Sequence, residues 1–305
     1  MHKLFDFALT GELLSLPFVR NALLAAAVLG LVAGVLGPLI VTRNMAFSVH
    51  ATSEVAFTGG AAALVLGGAS ASVIGSGALA AAVVFALVIG SLSQRSSERD
   101  SVIGAVLVFG LGLGVLLLWL YPGRSSNKFG LLVGQPVTVN STSASLLIIA
   151  ALAVLVVLSV SYRPLLFASV DPDVAAARGV PVRLLSPLFA VLVGVATALG
   201  VQTVGALLVS ALMIIPGAAA SRLTSSPLLV TVLSVVFAEV AALGGILVSL
   251  APGAPVSAFV TTISFLIYLV SRLIARIRST RASVPRPVPV VAAPVSDRVQ
   301  YQQHL

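Results

Sequence analysis

Nine stretches of this chain are long and apolar enough, or nearly so, to cross a bilayer as helices. A crossing takes about 20 residues. They are Leu16–Val41, His50–Gly67, Ser72–Leu92, Val102–Tyr121, Ala144–Ser161, Leu184–Val201, Val204–Ala220, Pro227–Leu250 and Pro255–Leu273. None has the period-two alternation of a membrane β-barrel strand. The predicted fold is therefore all-α, a polytopic transmembrane bundle of eight to nine spans. Composition closes the alternatives. The chain is 59% hydrophobic and only 9% charged, whereas soluble domains carry about 25% charged residues. That is too little charge to clothe a soluble enzyme, and too little for a disordered chain or a nucleic-acid reader. With no Cys, disulfides, thiolate metal sites and thiol nucleophiles are absent as well.

The connections hold the charge, and Lys and Arg set the orientation. If the basic C-terminal end is cytoplasmic, counting back through nine helices puts Arg43, the Gln94–Asp100 loop, Arg163–Arg183 and Arg222 on the same side. All but Lys3, Arg20, Arg124 and Lys128 of the 17 Lys and Arg then lie inside. The predicted organisation is an interfacial N-terminal segment over 1–15, a membrane domain over 16–276 with a cytoplasmic loop at 168–183, and a tail over 277–305. That tail is basic and carries Pro285, Pro287, Pro289 and Pro294, a composition expected to stay extended or disordered. Glycines recur within the apolar runs, among them Gly59, Gly60, Gly110, Gly112 and Gly114. In lipid, small residues let helix backbones approach closely.

An ionisable side chain inside a membrane costs about 2.5–3.5 kcal/mol on insertion scales and is a functional hypothesis by default. Of nine acids, only Glu54 and Glu239 fall inside apolar runs, and His50 is the only His away from the termini. His50 and Glu54 are four residues apart, which on a helix puts both on one face, one turn apart. Imidazole and carboxylate at that spacing form half of a divalent transition-metal site. The alternative is an ion pair that locks two helix turns or caps a helix start. Ser53 lies between them as a further polar group. Glu239, mid-run, could be a third ligand, a proton carrier, or a neutral carboxyl hydrogen-bonded to another helix. There is no G-x-x-x-x-G-K-[ST] phosphate loop, so any ATP that powers this chain is bound by another. No catalytic constellation is present.

Four segments, in order, resemble the permease subunit of the manganese/zinc/iron ABC importers, the ABC-3 group. Arg43-Asn44-Met45-Ala46-Phe47 leading through His50-Ala51-Thr52-Ser53-Glu54 to Gly59 resembles the family's D-x-x-S-H stretch. Here the carboxylate and imidazole have exchanged places, with the one-turn spacing kept. Glu98-Arg99-Asp100-Ser101-Val102-Ile103-Gly104 is similar to a loop of form E-D-x-x-I-G. Asp171-Pro172-Asp173-Val174-Ala175-Ala176-Ala177-Arg178-Gly179-Val180 resembles the D-x-E-x-A-x-x-x-G-V loop. By itself that segment reads as a short helix, capped by Asp171, with Asp173 in its first turn and Gly179 at its end. Val204-Gly205-Ala206-Leu207-Leu208-Val209 with Met213–Ala220 is similar to V-G-x-L-L-V followed by L-I-x-P-A-x-x-A.

The resemblance implies the metal/cobalamin-type importer fold in a bacterial inner membrane. It also implies a second copy of the chain, an ABC ATPase subunit that holds ATP, and an extracytoplasmic metal-binding lipoprotein. The cargo would be Mn²⁺, or next Zn²⁺, received by His50 and Glu54, with Ser53 and Glu239 as further polar pathway groups. No cofactor would be bound by this chain. Asp171, Asp173, Ala175 and Gly179 would form the coupling helix that docks on the ATPase. Two rivals stand beside this reading: a proton-driven secondary transporter using Glu239, and a non-transporting membrane scaffold.

Overall fold

The computed structural model describes residues 15–68, 70–92, 96–123, 141–250 and 255–282. Ten helices account for nearly all of them. In chain order these are α1 (Pro17–Thr42), α2 (Ala46–Gly67), α3 (Ala71–Leu92), α4 (Ser96–Leu120), α5 (Ser141–Val170), α6 (Pro172–Ala177), α7 (Val182–Val204), α8 (Ala206–Leu223), α9 (Pro227–Leu250) and α10 (Val256–Ala282). No strand occurs among the described residues. Eight of the helices are long and apolar enough to cross a membrane, and α8 is the shorter ninth apolar helix. Its 18 residues reach about 27 Å, just under a hydrocarbon core of about 30 Å. The sequence expectation of eight to nine spans is met. Residues 277–282, expected in the tail, continue α10. The segments 1–14 and 283–305 lie outside the described residues.

The helices sort into two packed groups. α2 packs on α3 and α4, and α3 packs on α7. α1 packs on α8 and α9, and α10 covers α8 and α9. α8 touches both groups, reaching α2 and α7 as well as α1, α9 and α10. Small residues make the closest approaches, as expected where lipid removes the hydrophobic drive between helices. A Cβ on Gly217 of α8 would land on the backbone of Gly37 in α1, and one on Gly59 of α2 would meet the Gly77 carbonyl of α3. Outward apolar side chains such as Val108, Trp119 and Val160 are 70%, 76% and 79% exposed, as suits a surface facing lipid.

Left-handed residues shape two helix ends, in different ways. In a Schellman ending, the residue after the C-cap turns left-handed, and its own N–H and that of the next residue bond back into the last turn. Asn44 (φ +52°) does this after α1. Its N–H donates to the Val41 carbonyl at 3.1 Å, and the Met45 N–H to the Ile40 carbonyl at 2.9 Å. That tight corner sends the chain straight into α2. Gly205 (φ +89°) alone separates α7 from α8 and folds them into a V, with Gly200 against Val209 and Thr197 against Met213.

Contacts between helix ends fix which connections share a side. Arg43 reaches Ser169 and Leu165 at the end of α5. The Tyr162 hydroxyl lies 2.6 Å from that of Thr231, near the start of α9. Arg278 of α10 donates to the Leu223 carbonyl at the end of α8 at 3.3 Å. α2 and α4 run parallel, with Phe47 near Gly104 and Thr58 near Gly110 and Gly114. The Arg43 corner, the start of α4, the Arg163–Arg183 segment, Arg222 and the end of α10 therefore gather at one end of the bundle. These are the groups that the charge pattern placed together on the cytoplasmic side.

Candidate metal pathway and coupling loop

α2 is the polar helix of the bundle. Ser48, Thr52, Ser53 and Glu54 are all buried. Its hydroxyls are largely satisfied along the helix: Thr52 donates to the Ser48 carbonyl at 2.7 Å, and Thr58 to the Glu54 carbonyl at 2.9 Å. Glu54 is the exception. The residue is 3% exposed, and its Oε2 has no hydrogen-bond partner. A buried polar atom left unsatisfied costs about 1–3 kcal/mol, more for a charged group, so such an atom asks for an explanation.

His50, half-buried one turn earlier, does not supply the missing partner through Nδ1. That nitrogen sits 3.1 Å from the Ser210 hydroxyl of α8. Ser53 donates to the His50 carbonyl at 2.7 Å and lies 2.8 Å from Ser210 Oγ. The self-contained His–Glu lock is thus not what these side chains form: His50 is oriented by α8, and Glu54 keeps an oxygen free. The site accordingly has an imidazole and a carboxylate on one helix face, with the Ser210 hydroxyl on the imidazole and Ser53 bridging Ser210 to the His50 backbone carbonyl. Ser210 is the residue that sequence reasoning missed. One signal was available, because Ser210 is the only hydroxyl between Gly205 and Pro216 in an otherwise apolar helix.

Glu239 goes elsewhere. It lies on α9, which packs on α1, α8 and α10, and its carboxylate sits against Gly30 of α1. Among the described residues no three His, Cys, Asp or Glu side chains cluster closely enough to hold a metal ion. Among the described residues, His50 and Glu54 thus share one helix face without a third such side chain beside them. Tight structural sites use four ligands; a site that must release its ion does better with fewer.

The Asp171–Val180 segment folds as its sequence predicted. The Asp171 carboxylate accepts from the Val174 N–H at 3.0 Å and caps α6; Pro172 takes the first helical position, and Asp173 lies in the first turn. Gly179 (φ +81°) ends it, with its N–H on the Ala176 carbonyl and the Val180 N–H on the Ala175 carbonyl, both at 3.0 Å. Ala175 is fully buried while its helix neighbours are exposed, so α6 rests on the bundle by this one methyl, between α5 and α7.

Arg43 sits beside this platform. Its Nε donates to Ser169 Oγ at 2.6 Å and its Nη2 to the Leu165 carbonyl at 3.3 Å. Its guanidinium carbon lies 4.7 Å from the centre of the Phe189 ring of α7. Burial pushes its pKa down to about 10, so it remains charged at physiological pH. Its contacts tie the α1–α2 corner to the two helices that flank α6, combining charge-assisted hydrogen bonds with a cation–π contact.

Eight long apolar helices, with the charged connections gathered at one end, define a polytopic membrane protein. The model of the ABC 3 transport family matches residues 15–275, and the chain belongs to that family. Among its relatives is the manganese transport system membrane protein MntC of Halalkalibacterium halodurans, 34% identical over 77% of this chain and 80% of that one. The manganese import system permease protein ScaB of Streptococcus parasanguinis is 29% identical over 85% and 91%. Among solved structures, a chain of PsaBC from Streptococcus pneumoniae in complex with Fab superposes with a TM-score of 0.76. It has 26% identity and covers 89% of this chain and 99% of that one. The chain is a multi-pass protein of the bacterial cytoplasmic membrane.

Proposed function

We propose that this chain is the permease subunit of an ATP-driven importer of a divalent transition metal, with Mn²⁺ as cargo ahead of Zn²⁺. The observation that carries the reading is Glu54: a carboxylate buried to 3% exposure with Oε2 unpartnered, one helical turn from His50. An acid kept in that state at a cost to stability is explained by a cation that visits it. The choice of metal rests on chemistry and kinship. Carboxylate and water suit Mn²⁺, imidazole also suits Zn²⁺, and a chain without Cys lacks the softest donors. The relatives from H. halodurans and S. parasanguinis are named for manganese.

In this reading two copies face each other around a central pathway, and an extracytoplasmic binding protein delivers the ion. His50 and Glu54 take it from its water shell and hold it briefly. An ATPase subunit docks on α6 from the cytoplasm, with Asp171, Asp173, Ala175 and Gly179 giving that helix its shape. ATP binding moves α6. Arg43 passes the movement on, because its side chain grips α5 and α7 beside α6 while its backbone leads directly into α2. Alternating access follows when the start of α2 shifts and the His50–Glu54 face opens to the other side. The test is co-reconstitution with the ATPase subunit in proteoliposomes. The His50→Ala/Glu54→Ala double variant is expected to lose metal uptake and metal-stimulated ATP hydrolysis together. Retention of both would overturn the site.

A further inference from the structure

We infer that Ser210 and Ser53 lock neutral His50 as the Nδ1–H tautomer, leaving the lone pair of Nε2 free for a metal ion. The argument is proton bookkeeping. A serine hydroxyl has one proton to give and two lone pairs to accept with, a carbonyl can only accept, and the neutral imidazole has one donor and one acceptor nitrogen. Ser53 Oγ lies 2.7 Å from the His50 carbonyl, so Ser53 donates there and its single proton is used. The 2.8 Å contact between Ser53 and Ser210 then requires Ser210 to be the donor, which uses its proton in turn. The 3.1 Å contact from Ser210 Oγ to His50 Nδ1 can now be made in only one way, with Nδ1–H donating. The relay runs from Nδ1–H of His50 to Ser210, from Ser210 to Ser53, and from Ser53 back to the His50 carbonyl. It closes on the residue where it began.

Both hydroxyls are buried. Ser53 is fully buried and Ser210 is 8% exposed, so each hydroxyl finds its partners within the protein. A ligating imidazole is commonly held in this way, by a partner on its other nitrogen that fixes the tautomer and the ring orientation. That partner is usually a carboxylate or a carbonyl; here it is a hydroxyl from a different helix. The consequence for transport rests on the proposed role of His50, but the tautomer itself does not. Ser210 is therefore a positioning residue that joins α8 to the metal-facing side of α2. Because α8 also contacts α1, α7, α9 and α10, a movement of α8 that separates Ser210 from His50 would free the ring to turn or change tautomer. That offers a way to weaken the ligand at the release step.

Nitrogen-15 NMR of selectively labelled histidine reports which ring nitrogen carries the proton. The measurement uses the full chain in nanodiscs, metal-free, at a pH where the ring is neutral, with His2 and His304 replaced by Gln so that only His50 is seen. The expected spectrum has Nδ1 protonated. Ser210→Ala is expected to move the population toward Nε2–H, the form preferred by neutral histidine in water, and Ser210→Thr to keep Nδ1–H. In reconstituted transport, Ser210→Ala should raise the KM for Mn²⁺ by about 10-fold or more, as for other outer-shell partners, with kcat changed less; Ser210→Thr should stay near wild type. A wild-type His50 protonated at Nε2, or a Ser210→Ala chain still protonated at Nδ1, overturns the relay. An Nδ1–H spectrum combined with unimpaired uptake by His50→Ala overturns only the cargo role.

Discussion

Replacing Glu54 by Met removes the unpartnered Oε2 and keeps an unbranched side chain of similar length. If Glu54 is held for a visiting cation, the substitution separates stability from transport. An unsatisfied buried oxygen costs about 1–3 kcal/mol, and filling its place with an apolar chain adds burial worth about 0.8 kcal/mol per methylene. The bond from the Thr58 hydroxyl to the Glu54 backbone carbonyl does not depend on the Glu54 side chain and survives. Glu54→Met should therefore be at least as stable as wild type, by about 1–2 kcal/mol once imperfect packing is allowed for. For a chain of this size that is a gain of a few degrees in Tm, at roughly 2–4 °C per kcal/mol. Glu54→Gln is the control, because its amide is as unsatisfied as the acid and should leave Tm nearly unchanged. Both variants should lose Mn²⁺ uptake. The assays are thermal unfolding of the purified permease and radiolabelled Mn²⁺ uptake by the reconstituted complex. A Glu54→Met chain that melts several degrees lower while still importing metal would show that the carboxylate serves the fold, and the reasoning from Oε2 would be wrong.

Three other perturbations probe the frame around the site. Asp171→Ala removes the cap of α6 and should cost about 1 kcal/mol locally; with Ala175→Leu, which cannot seat in the fully buried position of Ala175, it should abolish ATPase-driven uptake while Mn²⁺ binding to the isolated permease, followed by calorimetry, is unchanged. Arg43→Lys keeps the charge but loses the planar fork that reaches Ser169, Leu165 and Phe189 together; ATP hydrolysis should continue while the metal imported per ATP falls, and equal coupling ratios for Lys and Arg would exclude Arg43 as the link. Gly217→Ala forces a Cβ onto the Gly37 backbone and should destabilise by about 1–3 kcal/mol, read as a lower Tm, whereas Gly112→Ala, with open space around it, should be silent.

Much of this protein is written along the chain. The apolar runs fix the helices, because a segment without charge in lipid must satisfy its own backbone hydrogen bonds. The Asp171–Gly179 helix is legible to the residue, since its cap, its proline and its left-handed glycine all act within one turn. The one-turn spacing of His50 and Glu54 is equally local. The sharing of one end by Arg43, Arg163–Arg183, Arg222 and the end of α10 follows from counting spans. What the sequence could not decide is which faces meet. In a soluble helix the polar stripe marks the outside, but here the solvent is as apolar as the core, so Leu and Val on α4, α5 or α9 do not reveal whether they face lipid or a neighbour. Only the tertiary structure brings Ser210 across from α8 to His50, 160 residues away, and only it seats Glu239 of α9 against Gly30 of α1. The sequence by itself determined the helices and the one-turn spacing of His50 and Glu54; the packing decided the partner that holds the imidazole, because hydrogen bonding between helices depends on a facing that hydropathy does not encode.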